Sequence, residues 1–170
     1  TVVTGFLHNG SWIFGVENNG RIQHTNPRGV IVRRTSTQSI PTGDFTALSW
    51  NNSVRGDSAM WSSENPTRLI APEDGLYLIG GSMRVLSAQI TAGMRLGLFI
   101  RINGTDFVAA SDGPVSSSKN TGRNIVGLAW LTSEEYAELL VQHDKGSAIK
   151  ITGNSGNYYY SNSGWMFRIV

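Results

Sequence analysis

The chain contains no cysteine. Disulfides, thiolate metal sites and cysteine nucleophiles are therefore excluded, and stability has to come from packing or from burial between subunits. Charge is scarce too, at 15% of 170 residues. Lys and Arg number 14 against 12 Asp and Glu, giving a net charge of +2 and no basic block. A nucleic-acid footprint needs clustered cations, so no nucleic-acid partner is expected. No apolar run approaches the roughly 18 residues of a membrane helix, and no membrane insertion is expected. Histidines are few: His8, His24 and His143. A serine triad needs a histidine between nucleophile and carboxylate, and His143 beside Asp144 is the one local pairing. No His-x-x-x-His spacing for zinc occurs, and the glycine-rich stretches lead into strands, where a phosphate cradle needs a helix N-terminus. The adjacent pairs Glu73-Asp74 and Glu134-Glu135 read as charged turn-fillers, whereas a glycosidase sets two carboxyls across a cleft. No catalytic residue, metal ligand or cofactor is assigned, and the chain is not read as an enzyme.

What the chain does have is turn chemistry. Gly (20 residues), Ser, Thr and Asn are heavily used, as many short strands require. No segment holds a 3.6-residue period for three turns, so no long helix is predicted. At this length one domain is expected, burying roughly 70% of its unfolded surface. Residues 1–27 stand apart as a small meander. Phe6-Leu7-His8-Asn9-Gly10-Ser11-Trp12-Ile13-Phe14 carries an Asn-Gly hairpin signal, and Asn18-Asn19-Gly20 a second turn. So short a meander cannot hold a core alone and must dock on something larger. Asn26-Pro27 marks the boundary to the main domain, residues 28–170. The chain opens on Thr1 with no signal-type segment, as in a processed product, a cloned fragment or the ordered part of something longer.

The main domain is organised around Arg68–Val85. Pro72, Glu73, Asp74 and Gly75 make a tight turn between a short strand and a long one. In the long strand Tyr77, Ile79, Met83 and Val85 share one face, while Leu76, Leu78, Ser82 and Arg84 share the other. Apolar residues on both faces predict a strand covered on both sides. Strands are also expected at 29–34, 46–50, 94–102, 105–110, 124–131, 136–142, 146–152 and 165–170. The loops between them are placed at 51–66, 111–123 and 153–164. Met60 and Trp61 are expected to pack inwards over the end of the domain. Tyr77, Ile79, Leu98, Ile100 and Trp165 are the predicted inaccessible core. About ten strands at this spacing give a two-sheet sandwich.

Three pieces in this order carry a family resemblance: Ala71-Pro72-x-x-Gly75-x-Tyr77, the strand Tyr136-x-Glu138-Leu139, and the glycine-aromatic terminal strand Ser163–Val170. Over residues 28–170 the chain resembles the jelly-roll superfamily of tumour necrosis factor (TNF) and the complement globular heads. The nearest variant in flavour is that of phage tail fibres and virion knobs. The resemblance implies an all-β, TNF-like jelly roll that assembles as a homotrimer, burying the outer face of one sheet around the axis. Leu76, Leu78, Phe99, Trp165 and Phe167 are the residues assigned to that trimer interface. It also implies a virion setting: a non-enzymatic knob of a tail fibre or head fibre on the virion surface, meeting a host-surface carbohydrate or protein. The N-terminal segment would then join it to other virion proteins. The alternatives are a capsid decoration (cement) protein and a secreted bacterial adhesin head. Tyr158, Tyr159 and Tyr160 are the candidate receptor-binding residues, since alternation in an extended chain exposes at least one ring and tyrosine suits interfaces and sugar stacking. Arg55-Gly56-Asp57 matches the tripeptide that integrins read, in a loop where Gly and Asp are expected anyway.

Overall fold

The computed structural model describes the backbone of residues 4–8, 11–16 and 22–23, and the residues 28–116, 119–151, 153 and 162–169 in full. The first three strands, β1 (Thr4–His8), β2 (Ser11–Val16) and β3 (Ile22–Gln23), form a separate antiparallel sheet in the order β1-β2-β3. Phe6 lies opposite Phe14 in that register, so the N-terminal meander is a hairpin with a third strand.

The main domain is built from β4 (Gly29–Arg33), β5 (Gln38–Ile40), β6 (Thr46–Ala47), β7 (Asn52–Gly56), β8 (Arg68–Ile70), β9 (Gly75–Val85), β10 (Arg95–Ile102), β11 (Asp106–Pro114), β12 (Thr121–Leu131), β13 (Tyr136–His143), β14 (Ile149–Ile151) and β15 (Ser163–Arg168). One five-stranded sheet runs β12-β9-β15-β4-β7. The other runs β11-β10-β13-β6, with β8 also pairing to β13. Every pairing is antiparallel, and β5 with β14 makes a small two-stranded ribbon. The two large sheets stack into an all-β sandwich.

Alternation fills the space between them. β9 contributes Tyr77, Ile79, Met83 and Val85, β4 contributes Val30 and Val32, and β15 contributes Met166; the facing sheet supplies Leu96, Leu98, Ile100, Leu139 and Val141. All are buried, so the predicted register of β9 and β10 is the observed one. Met60 closes one end and is fully buried, with Trp61 packed against the core. The Tyr77 hydroxyl donates to the Glu73 carbonyl at 2.7 Å, which ties the organising turn to the core. Burial raises the pKa of this phenol.

Four expectations are corrected. Trp165 is not inaccessible: Met166 takes the inner position opposite Ile79 and Val30, which turns Trp165 to the outer face. Residues 51–66 are not all loop, because Asn52–Gly56 pairs with β4 as an edge strand. The 111–123 loop is shorter than predicted. The edge strand β11 runs to Pro114, where a missing donor is tolerated, and β12 already begins at Thr121. Between Thr46 and Trp50 only Thr46–Ala47 joins the ladder, although Leu48 and Trp50 are buried and the Leu48 amide bonds to the Leu139 carbonyl at 2.8 Å.

Candidate interaction surfaces

The outer face of the β12-β9-β15-β4-β7 sheet is apolar across its width. Register sets it out in rows. Val126, Gly80, Trp165 and Ile31 form one; Leu128, Leu78 and Phe167 form the next; Trp130 lies opposite Leu76 in the third. Ile169 joins the last row through its amide, which bonds to the Leu76 carbonyl at 2.8 Å. Val126, Leu128 and Trp130 are 58%, 55% and 65% exposed. Val54 on β7 extends the patch to the other edge of the sheet.

Two glycines flatten this surface. A Cβ on Gly80 would meet the Trp165 ring, and one on Gly29 would meet the Phe167 ring. Both rings therefore lie down over bare backbone, with centroids 6.0 Å apart. The result is a low apolar plateau. Beside it runs a groove of about 610 Å³, lined by Ile31, Val54, Ser82, Asn124, Ser163 and Trp165 among others. A charged rim borders the plateau at one end. Arg28 pairs with Asp57 at 3.6 Å and Glu73 at 3.4 Å, and Arg168 pairs with Glu73 at 3.4 Å.

Of the five residues assigned to one interface, the structure brings four together: Leu76, Leu78, Trp165 and Phe167. Phe99 is elsewhere. It stands on β10, on the outer face of the opposite sheet, so a single sheet face cannot hold all five. The grouping failed because apolarity on a solvent-side position does not say which of two sheets the strand joins. There Phe99 meets Phe45 (ring centroids 4.9 Å) and Phe107 (6.0 Å), and Phe45 meets Phe107 at 5.0 Å. Tyr158, Tyr159 and Tyr160 lie outside the described residues.

Val126, Leu128 and Trp130 were not picked out from the sequence, yet β12 carries a signal for them. In its second half the inward positions are the small Gly127 and Ala129, while the outward ones, Val126, Leu128 and Trp130, are larger and apolar. The small inward residues fit a close approach: a Cβ on Gly127 would sit 3.3 Å from Ala109 and Ile100 side-chain atoms.

The polar candidates resolve into structural roles. His143 is buried, with Nε2 3.1 Å from the Ile40 carbonyl and Nδ1 accepting from the Lys145 amide at 3.3 Å. Asp144 accepts from the Arg95 amide at 2.7 Å, so the two neighbours serve different strands. Among the described residues no group of three His, Asp or Glu could hold a metal ion. In the Arg55-Gly56-Asp57 stretch, Gly56 has φ +129° and leaves no room for a Cβ against the Gly29 carbonyl. Asp57 accepts from the Ala59 amide at 2.9 Å and pairs with Arg28. That tripeptide is accounted for by the close approach of β7 to β4.

No family model and no curated relative matches the chain. Solved structures do. A crystal structure of murine APRIL at pH 5.0 superposes with a TM-score of 0.62, covering 85% of this chain and 100% of that one at 10% identity. The structure of Eiger TNF from S. frugiperda gives 0.60, covering 85% and 93% at 8% identity. The fold is the TNF-like jelly roll. At this identity the likeness is one of architecture, and it confirms the fold that the order of turn and strand signals implied.

Proposed function

We propose that this chain is a non-enzymatic binding head that assembles as a homotrimer through the outer face of the β12-β9-β15-β4-β7 sheet. The observation that carries this reading is the apolar plateau of Leu76, Leu78, Val126, Leu128, Trp130, Trp165 and Phe167, bordered by paired charges. Val126, Leu128 and Trp130 are more than half exposed and Phe167 about a third, with Leu76, Leu78 and Trp165 partly buried beside them; on side chains of roughly 150–250 Å² for the aromatics this puts the plateau on the order of 500 Å². A monomer's largest apolar patch is about 300–600 Å² and often functional. Adding the charged rim moves the surface towards the roughly 800 Å² per partner of a standard interface. An apolar centre with a polar rim is the anatomy of an association surface.

The narrower reading is a virion knob. The separate N-terminal sheet supports it as the attachment piece, leaving the loops at the ends of the sandwich to meet a host-surface carbohydrate or protein, with Tyr158, Tyr159 and Tyr160 as the candidate contacts. The test is a pair of variants followed in intact particles. Removal of residues 1–27 should leave a folded trimer that binds host cells but no longer enters particles. Replacement of Tyr158, Tyr159 and Tyr160 by Ser should abolish binding and leave incorporation intact. Normal binding by the tyrosine variant would transfer support to the capsid-decoration alternative, and absence of the chain from any particle would end the virion reading.

A further inference from the structure

At one end of the plateau the same sheet face turns polar. One outward step beyond Val126, Gly80, Trp165 and Ile31, register aligns Asn124, Ser82, Ser163, Arg33 and Asn52 across all five strands. Arg84 is the next outward residue on β9. The groove of about 610 Å³ follows this boundary, with Trp165 and Val126 on its apolar side and Asn124, Ser82 and Ser163 on its polar side. It reaches from Asn124 on β12 to Val54 on β7, four strand spacings or about 19 Å.

The polar side is partly set in place. The Ser82 and Ser163 hydroxyls are 3.1 Å apart, and Arg33 donates through Nε to Asn52 at 3.0 Å. Neither Arg33 nor Arg84 forms an ion pair among the described residues, and the Asn124 amide makes no hydrogen bond there. Sequence explains why no counter-ion is at hand. The five strands and the chain adjoining their polar ends hold no Asp or Glu in residues 29–43, 45–56, 75–105, 113–133 and 145–170. Asp57, Glu73 and Asp74 all stand at the opposite end of the sheet, with the paired rim. The polar end is therefore a field of one sign.

We infer that this groove binds an acidic saccharide. An indole face takes the apolar face of a sugar ring, hydroxyl and amide groups both donate to and accept from its hydroxyls, and guanidinium forks match a carboxylate. Trp165, the Ser82–Ser163 pair with Asn124, and Arg84 with Arg33 supply the three in that order. A neutral sugar leaves both arginines unused, and a bare anion leaves the indole and hydroxyls unused. The assignment deepens the binding-head reading and rests on it for the ligand's setting, while the groove itself is made by one chain.

The experiment is an NMR titration of the isotopically labelled full chain with trigalacturonate, a hyaluronan tetrasaccharide and sialyllactose, each beside its carboxyl methyl ester, and with sodium acetate. At least one acid should shift the signals of Trp165, Ser82, Asn124 and Ser163 at sub-millimolar concentration. Its ester should bind about tenfold more weakly, and so should the acid to Arg84→Gln or Arg33→Gln, as loss of one charge-assisted hydrogen bond predicts. Light scattering on the same samples reads assembly separately. A variant that loses the sugar and keeps the mass of the unmodified chain has lost the groove alone, and binding by a monomeric chain would end the assembly reading and leave this one standing. No shift with any of the acids at about 10 mM, equal binding of acid and ester, acetate binding as well as the saccharides, or shifts confined to residues away from the groove would each overturn the assignment.

Discussion

Replacing Leu128 by Asp separates the assembly from the fold. Leu128 is in the middle row of the plateau, opposite Leu78, and more than half of it is exposed in the single chain. In the monomer the change therefore costs little, up to about 1 kcal/mol for a polar residue on a β-strand. In the proposed assembly the same position would be sealed. The half of the side chain still exposed would contribute about 1–1.5 kcal/mol on burial, and an unpaired carboxylate in a desolvated interface costs several kcal/mol more. Aspartate is chosen over arginine because a long side chain can carry its charge to the rim. A combined loss near 4 kcal/mol weakens each contact roughly a thousandfold. Sedimentation across a dilution series should show the variant as monomer at concentrations where the unmodified chain is assembled, with an unchanged β-sheet circular-dichroism spectrum. Phe107→Asp, on the other sheet, should leave the assembly intact. If Leu128→Asp sediments like the unmodified chain at every concentration, the plateau is not the interface.

Other consequences follow from the interior and its supports. Ile100→Ala removes a fully buried side chain between the sheets and should cost roughly 2–5 kcal/mol in denaturant unfolding; a loss under about 1 kcal/mol would put β10 in the wrong register. Glu138 is buried, paired with Arg101 and accepting from Thr67 at 2.9 Å, so Glu138→Ala should cost about 3–5 kcal/mol by stranding the guanidinium. In Glu138→Ala with Arg101→Met much of that loss should return, as a double-mutant cycle would read. Glu135 accepts from the Thr132 amide and from Asn103, which holds its pKa below the ordinary 4.5. Its contribution is present above that value and is lost as pH falls through the depressed one. Glu135→Gln should accordingly flatten the fall of melting temperature as pH drops below about 4.5.

The sandwich was legible where alternation and turn chemistry agreed. Pro72 to Gly75 set the start of β9, and the spacing of Tyr77, Ile79, Met83 and Val85 set its inner face. The same alternation put Leu76 and Leu78 outward. It could not choose the face of β15, because Trp165, Met166, Phe167 and Ile169 are apolar in both registers and only the pairing with Ile79 and Val30 decides. Nor could it assign Phe99 to a sheet, since neighbours across strands are set by topology and not by local pattern. β7 escaped notice because Asn52-Ser53-Val54-Arg55-Gly56 has the composition of a loop and becomes a strand only by lying against β4. The breadth of the plateau was hidden for a related reason: much of it comes from β12, whose partner β9 lies about fifty residues earlier in the chain at the plateau positions.

Self-association through the outer face of the β12-β9-β15-β4-β7 sheet is what the proposed function requires, and the mass of the unmodified chain in solution tests it. Light scattering on a sizing column at micromolar concentration should give about 55 kDa, three times the 18.5 kDa of one chain. A stable species of 18.5 kDa would contradict it.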